Sequence, residues 1–157
     1  MDSIYDEVNA RTYYQGESLK RKDIDYVSVQ TSSDDYDALR TYVETALNNA
    51  CGYLLKKVKA FSWEIADDDE KIGIISISLI PYCRIPPIHA EKVCRLVGKA
   101  LFDYIVNYTL YEWYLVVKTE LANAVGARND ALLSEVLKHV GMISGRIRRR
   151  ATDLAGI

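Results

Sequence analysis

Cys83, His89 and Cys94 are the residues of this chain whose types could bind a transition metal. Zinc in proteins prefers thiolate and imidazole ligands, so the combination has suitable chemistry. Its spacing, however, matches neither a CxxC nor an HxxxH motif, and structural zinc sites follow such spacings closely. Cys94 fits better as a small apolar residue that packs against its neighbours. The sequence therefore predicts no metal site here.

Four consecutive acids, Asp67–Glu70, could in principle bind a hard cation through their carboxylates. No glycine-containing loop with the spacing of an EF-hand follows them. Acidic residues between two apolar segments are also typical of a solvated turn. We interpret Asp67–Glu70 as the tip of a hairpin.

The sequence contains no recognisable catalytic motif. Gly98-Lys99 resembles the end of a phosphate-binding loop, but Val93 stands where the first glycine of that motif is required. A nucleophile with a matched base, such as a GxSxG sequence or a Cys/His pair, is not recognisable either. We predict that the chain is not an enzyme and that it uses no cofactor.

The composition is that of an ordinary globular domain of 157 residues, with 49% apolar residues, 27% charged residues and a net charge of −2. This charge does not indicate a nucleic-acid-binding protein as a whole. The longest apolar run, Ile72–Cys83, is twelve residues and too short to span a bilayer. The acidic N-terminus is unlike a secretory signal. Three cysteines without a framework spacing indicate reduced thiols in a cytosolic setting.

The N-terminal half predicts a short helix, an extended arm and a longer helix. A helix over Ser3–Tyr14 should stop at Gly16, and the β-rich stretch Asp25–Thr31 should form a strand. Ser32 and Ser33 can cap a helix that continues to about Lys57. Apolar residues recur along it every three or four positions, at Tyr36, Leu39, Val43, Ala46, Ala50, Leu54 and Val58.

The C-terminal half predicts a hairpin followed by two long helices. Phe61–Ile80 alternates and is rich in β-branched residues, which favours two strands. After Pro86-Pro87, Ile88–Val117 should form one helix about 45 Å long. A last helix over Glu120–Arg150 could bend at Gly126, with Asn129 as a new cap. The fold class is therefore mainly α with a β-hairpin: three to four helices, two of them long, with the hairpin between helices two and three.

The stretch Ala100–Val117 contains six aromatic residues and is apolar on more than one side, which is typical of a central or shared helix. We expect Tyr104, Tyr108 and Tyr111 to lie in the core, packed on the Tyr36–Val58 helix. The predicted subunit-interface residues are Phe102 and Trp113 of this helix, together with Trp63 and Ile74 of the hairpin.

Lys138–Arg150 carries five positive charges and no acid, four of them arginines at the end of the predicted last helix. Cations at a helix C-terminus interact favourably with the helix dipole, so the cluster could be purely structural. Alternatively it binds an acidic protein surface or nucleic-acid phosphate, which would make the chain a small helical nucleic-acid-binding or regulatory module. The short tail beyond it ends in apolar residues and could either fray or dock into a partner.

Two blocks of the sequence, IYDEVNARTYYQGE with the capped helix TSSDDYDALRTYVETA, and ALFDYIVNYTLYEWYLVV with the later GRIRRR, occur in a suggestive order. This order resembles the head-to-tail connector proteins (neck or ring adaptors) of tailed bacteriophages, especially phages of gut Bacteroidales. The resemblance covers most of the chain and implies a single connector domain over residues 1–157. It would comprise a helix and arm over 1–31, a helical core over 32–150 with a hairpin over 61–80, and a tail over 151–157.

The resemblance implies a structural role in the virion, assembled from protein made in the host cytoplasm. About twelve copies would form a ring between the portal and a neighbouring neck or tail ring protein. DNA would pass through the channel without specific binding, and no membrane would be involved. The residues expected to meet the portal or another partner are Arg146, Arg148, Arg149, Arg150, Leu154 and Ile157.

Overall fold

The computed structural model describes residues 4–22, 27–57, 61–68, 71–79 and 87–139. Within these ranges the side chains of 51, 53–57, 61–68, 71–79, 87–91, 93 and 94 are not described. The fold is mainly helical, as the sequence predicts. No helix in the described part of the chain has the length and apolar character needed to cross a membrane.

Helix α1 (Ile4–Lys20) is longer than predicted and runs through Gly16. The side chain of Gln30 packs against this glycine, and a Cβ at position 16 would lie 2.6 Å from its Nε2. The predicted strand Asp25–Thr31 is wrong for its described part, where Val27–Val29 forms a 3₁₀ turn. Among the described residues this segment pairs with no strand and bonds instead to side chains of α1, so the β propensity of its residues does not decide its conformation. We call residues 27–31 the arm.

The arm is attached to α1 by side-chain hydrogen bonds. Oγ1 of Thr12, a fully buried residue, lies 3.0 Å from Oγ1 of Thr31. The Thr31 hydroxyl also donates to Oδ1 of Asn9. These bonds fix the position of the arm along the helix.

Helix α2 (Tyr36–Lys57) follows a short 3₁₀ turn, Ser33–Asp35. The Asp35 carboxylate accepts hydrogen bonds of 2.8 Å from both the backbone N–H and the hydroxyl of Ser32, so the predicted start of the helix is confirmed. The apolar stripe of α2 is buried at Leu39, Val43, Ala46 and Ala50. Leu54 and Val58 of the predicted stripe lie outside the described side chains.

Two antiparallel strands, β1 (Phe61–Asp68) and β2 (Lys71–Leu79), connect α2 to the next helix and lie within the predicted hairpin range. Phe61 pairs with Leu79 and Asp68 with Lys71, with a register shift between Ala66 and Asp67. The tip residues 69 and 70 lie outside the described residues. Strand β2 runs beside α1 and the third helix.

Helix α3 (Pro87–Val117) has 31 residues and confirms the predicted long helix. It contacts α1, α2, the arm, β2 and the helix that follows it. Tyr104–Asn107 are four consecutive buried residues, which is more than one full turn. This part of α3 is therefore covered on every side.

The chain then forms α4 (Thr119–Gly126), a turn at Ala127 and Arg128, and a further helix, α5, over 129–139. The predicted break at Gly126 is confirmed. Val136 of α5 is fully buried, so α5 contributes to the core. The predicted continuation of this helix from 140 to Arg150 lies outside the described residues.

Trp113 connects the arm to α3. Its indole Nε1 donates a hydrogen bond of 2.9 Å to the backbone oxygen of Val29, 84 positions away, and the side chain is only 7% exposed. Trp113 was predicted to lie nearer a subunit interface, but its burial within the single chain leaves it little surface to offer a neighbour. Phe102, the other predicted interface residue of α3, is half-buried and packs against the core.

We expect Trp113→Phe to lower the free energy of unfolding by about 1–3 kcal/mol, because the buried carbonyl of Val29 would lose its donor. The change is measured by chemical denaturation of the purified chain. Thr109→Val is the contrasting variant: Thr109 is fully buried, and its hydroxyl has no hydrogen-bond partner among the described residues. Its replacement should leave stability unchanged or raise it by about 1 kcal/mol. Equal stability losses in the two variants would contradict the role of the Trp113 bond.

Candidate functional site

An open groove of about 480 Å³ lies between α3 and the junction of α4 with α5. We call it the tyrosine groove, because one wall consists of Tyr104, Tyr108 and Tyr111. The opposite wall consists of Asn123, Gly126, Ala127, Asn129, Asp130 and Leu133. Its volume lies within the range of roughly 300–1,000 Å³ that is usual for ligand-binding clefts.

The tyrosines form a ladder along α3, since residues three and four positions apart lie on one face of a helix. The ring centroids of Tyr104 and Tyr108 are 6.0 Å apart, and those of Tyr108 and Tyr111 are 6.2 Å apart. Tyr104 is buried, as predicted, whereas Tyr108 and Tyr111 are half-buried and present part of their rings to the groove. Tyr108 also reaches α2 through a hydrogen bond with Asn49.

Asn107 holds the two walls together from inside the protein. This residue is 4% exposed, and its amide Nδ2 donates to the backbone oxygen of Val125 at 3.0 Å and to Oδ1 of Asn129 at 2.7 Å. The bond to Asn129 engages the side chain that we expected to cap the new helix. One side chain of α3 thus fixes the end of α4 and the start of α5 together.

Gly126 allows the ring of Tyr111 to lie against the end of α4. A Cβ at position 126 would lie 2.7 Å from Cε2 of Tyr111, closer than a real contact permits. The small residue therefore sets the width of the groove, and the same residue is where α4 ends.

The hydroxyl groups of Tyr104 and Tyr108 stay protonated at neutral pH. Burial and the neighbouring Asp130 carboxylate raise the pKa of Tyr104. Burial, followed by the hydrogen bond from Tyr108 to Glu112, raises the pKa of Tyr108 to about 12. The formal charge around the groove therefore comes from the carboxylates of Asp130 and Glu112, and no lysine or arginine is among the lining residues described.

Several large apolar side chains are exposed to solvent, and two of them, Tyr13 and Tyr14, contact each other with ring centroids 6.0 Å apart. On α1, Tyr13 is 53% exposed and Tyr14 is 72% exposed, and at the end of α3, Val116 is 71% exposed. The other exposed large apolar residues of the described part are Val27, Leu96 and Leu115. Clusters of exposed apolar side chains are typical of protein–protein interfaces.

Most of the predicted site residues are not brought together by the described part of the structure. Trp63 and Ile74 are described only by their backbone, and Arg146–Ile157 lie outside the described residues. Of the metal-site candidates, Cys83 lies outside the described residues, and His89 and Cys94 of α3 are described only by their backbone. Among the described side chains, no cluster of three potential metal ligands occurs.

Sequence reasoning missed Asn107, Gly126 and Asp130 as partners of the tyrosines. A signal was present for the first, because an asparagine stands between the apolar residues Val106 and Tyr108 of a buried helix. A buried amide needs hydrogen-bond partners, and the nearby α4–α5 junction is where free backbone groups occur. Periodicity alone could not identify which carbonyl it meets.

Comparison of the chain with protein-family models, with curated proteins and with solved structures finds no match.

We expect the protein to lose stability as the pH rises from about 10 to about 12. Burial raises the pKa of Tyr114, which is 3% exposed, from 10.0 to about 12. Below pH 10 the hydroxyl is protonated in both states, and its contribution is fully present. Between the two values the unfolded chain releases the proton first, which favours unfolding.

Tyr114→Phe should therefore lose less stability than the parent between about pH 9 and about pH 11, measured by chemical denaturation. Tyr14→Phe is the matched control, because Tyr14 is largely exposed on α1. If both variants lost as much stability as the parent over this interval, the burial of Tyr114 would not govern the alkaline limit.

Proposed function

We propose that this chain is a structural protein of a tailed-phage virion, forming a ring in the neck that joins the portal to the tail and lets DNA pass. The order of its elements supports this: a helix with an arm, a capped helix, two strands, and a long aromatic helix followed by shorter ones. It is the order in which the sequence resembles connector proteins. The connector fold is part of this proposal.

The observation that carries the proposal is that one chain presents two different adhesive surfaces on different sides of α3. Tyr111 and Trp113 are two residues apart, so their side chains point about 200° apart around the helix. Tyr111 lines the tyrosine groove, whereas Trp113 faces the arm that α1 holds. The exposed Tyr13 and Tyr14 belong to α1, the helix that holds this arm, and neither lines the groove.

Two unlike surfaces are what a ring needs. In a head-to-tail assembly, one surface of each copy contacts the other surface of the next, and the assembly closes if the rotation between copies is right. A symmetric dimer would instead use one surface twice. The chemistry of the two surfaces differs, since the groove carries carboxylates and amides and the α1 surface carries aromatic rings. The difference favours head-to-tail contact.

The proposed partners are further copies of this chain, a portal protein and a neighbouring neck or tail ring protein. The C-terminal residues Arg146–Ile157 are proposed to contact one of these partners. DNA would pass through the channel and would not be bound at a specific sequence. The proposed location is the neck of the virion.

We expect native mass spectrometry of the purified chain to show a ring of about twelve copies, either alone or after addition of candidate portal. Tyr14→Asp should weaken this assembly without lowering monomer stability, because the side chain is largely exposed. Asp34→Asn, at an exposed acid beside α2, is a control that should assemble normally.

A monomer that stays monomeric at high concentration and with portal would contradict the ring. In that case binding of duplex and single-stranded DNA at about 50 and about 200 mM salt decides whether the basic segment Lys138–Arg150 binds phosphate. Phosphate contacts weaken steeply over this range.

A further inference from the structure

The tyrosine groove is well suited to arginine side chains. A guanidinium group is planar, stacks on aromatic rings and forms paired hydrogen bonds with a carboxylate. The groove offers the partly exposed rings of Tyr108 and Tyr111, and on its opposite wall the exposed carboxylate of Asp130. Asn123 and Asn129 add side-chain amides whose oxygens can accept further hydrogen bonds.

The electrostatics of the groove also favour a cation. The high pKa of Tyr108 keeps its ring neutral at physiological pH, and Glu112 beside it adds a second carboxylate. Helix α4 ends at the groove, and the last carbonyl groups of a helix carry partial negative charge. Helix α5 begins there with the opposite partial charge, which Asp130 in its first turn offsets.

The chain itself contains a segment of the matching chemistry. Arg146, Arg148, Arg149 and Arg150 occur within five positions, with no acid among them. They follow the last described residue, His139, by seven residues or more. Four closely spaced guanidinium groups offer several chances to place one between the tyrosines and Asp130.

We propose that the tyrosine groove of one copy binds the arginine segment, residues 146–150, of a second copy of this chain. The proposal rests on the proposed function, since it adds a contact between neighbours in the ring to the one proposed for the α1 surface. In this proposal the four arginines contact the adjacent copy and not the portal.

The geometry of α5 favours a second copy over the same chain. The apolar positions Val136, Val140, Ile143 and Ile147 keep a helical spacing, so the sequence predicts that α5 continues toward Arg150. On such a helix Arg148 would stand about 27 Å along the axis from Asp130, which is too far for its side chain to reach the groove of the same chain. A neighbour displaced along that axis would present its groove to the segment.

The first test uses a labelled synthetic peptide of residues 141–157 and the full-length chain with all four arginines changed to glutamine. Binding is followed by fluorescence anisotropy, and this experiment does not require a ring. We expect saturable binding that Asp130→Lys weakens about fivefold or more, as reversal of an ion pair should. Glu120→Lys is the matched control, because Glu120 is also an exposed acid in the first turn of a helix but does not line the groove. No binding, or equal binding to all three proteins, would overturn the proposal.

The second test mixes two full-length variants and measures mass by native mass spectrometry. One carries Asp130→Lys and keeps its arginines, and the other carries the four glutamines and keeps its groove. We expect neither variant to assemble alone. The mixture should form one-to-one pairs, because the intact groove of one variant can bind the intact arginine segment of the other, and the remaining groove and segment do not match. Peptide binding without such pairs would show that the segment binds within its own chain, which overturns the second copy as occupant. If the chain with Asp130→Lys alone still formed rings, the proposed contact would be overturned and the proposed ring would stand.

Discussion

Helix α3 must be covered on several sides at once, and this constraint organises the rest of the chain. Four consecutive buried residues, Tyr104–Asn107, leave no side of that turn for solvent. An amphipathic helix could rest on a single layer, but a helix apolar all round needs neighbours in more than one direction. The arm and α1, α2, and the α4–α5 pair supply them. At the tyrosine groove this covering is open.

Directional bonds decide where each neighbour sits on α3. Burial of apolar area stabilises the packed state but does not by itself distinguish one position of a helix from the next turn. Trp113 fixes the arm through the Val29 carbonyl, and Asn107 fixes the α4–α5 junction through two acceptors. Both side chains are on α3 and both are buried. The relative position of the two surfaces proposed for assembly is therefore set by one helix, α3.

The sequence predicts the elements whose signals are local. Three boundaries are determined by side chains within a few residues of them: the start of α2 at Ser32–Asp35, the start of α3 at Pro87 and the break at Gly126. It fails where a distant segment decides. Helix α1 continues through Gly16, against which Gln30 packs, and Trp113 is buried with its indole bonded to the carbonyl of Val29. The groove was missed for the same reason, since its walls are joined by one asparagine across 18 and 22 positions.

Hydrogen–deuterium exchange of the full-length chain, alone and assembled, tests most directly whether α3 is covered inside one copy and the groove is covered only by a neighbour. The account predicts slow amide exchange over 97–114 in the isolated chain, because this part of α3 is enclosed. Assembly should add protection over 123–133 and leave the arm, 27–31, unchanged. Fast exchange over 97–114 in the isolated chain, or protection gained at the arm in place of 123–133, would contradict it.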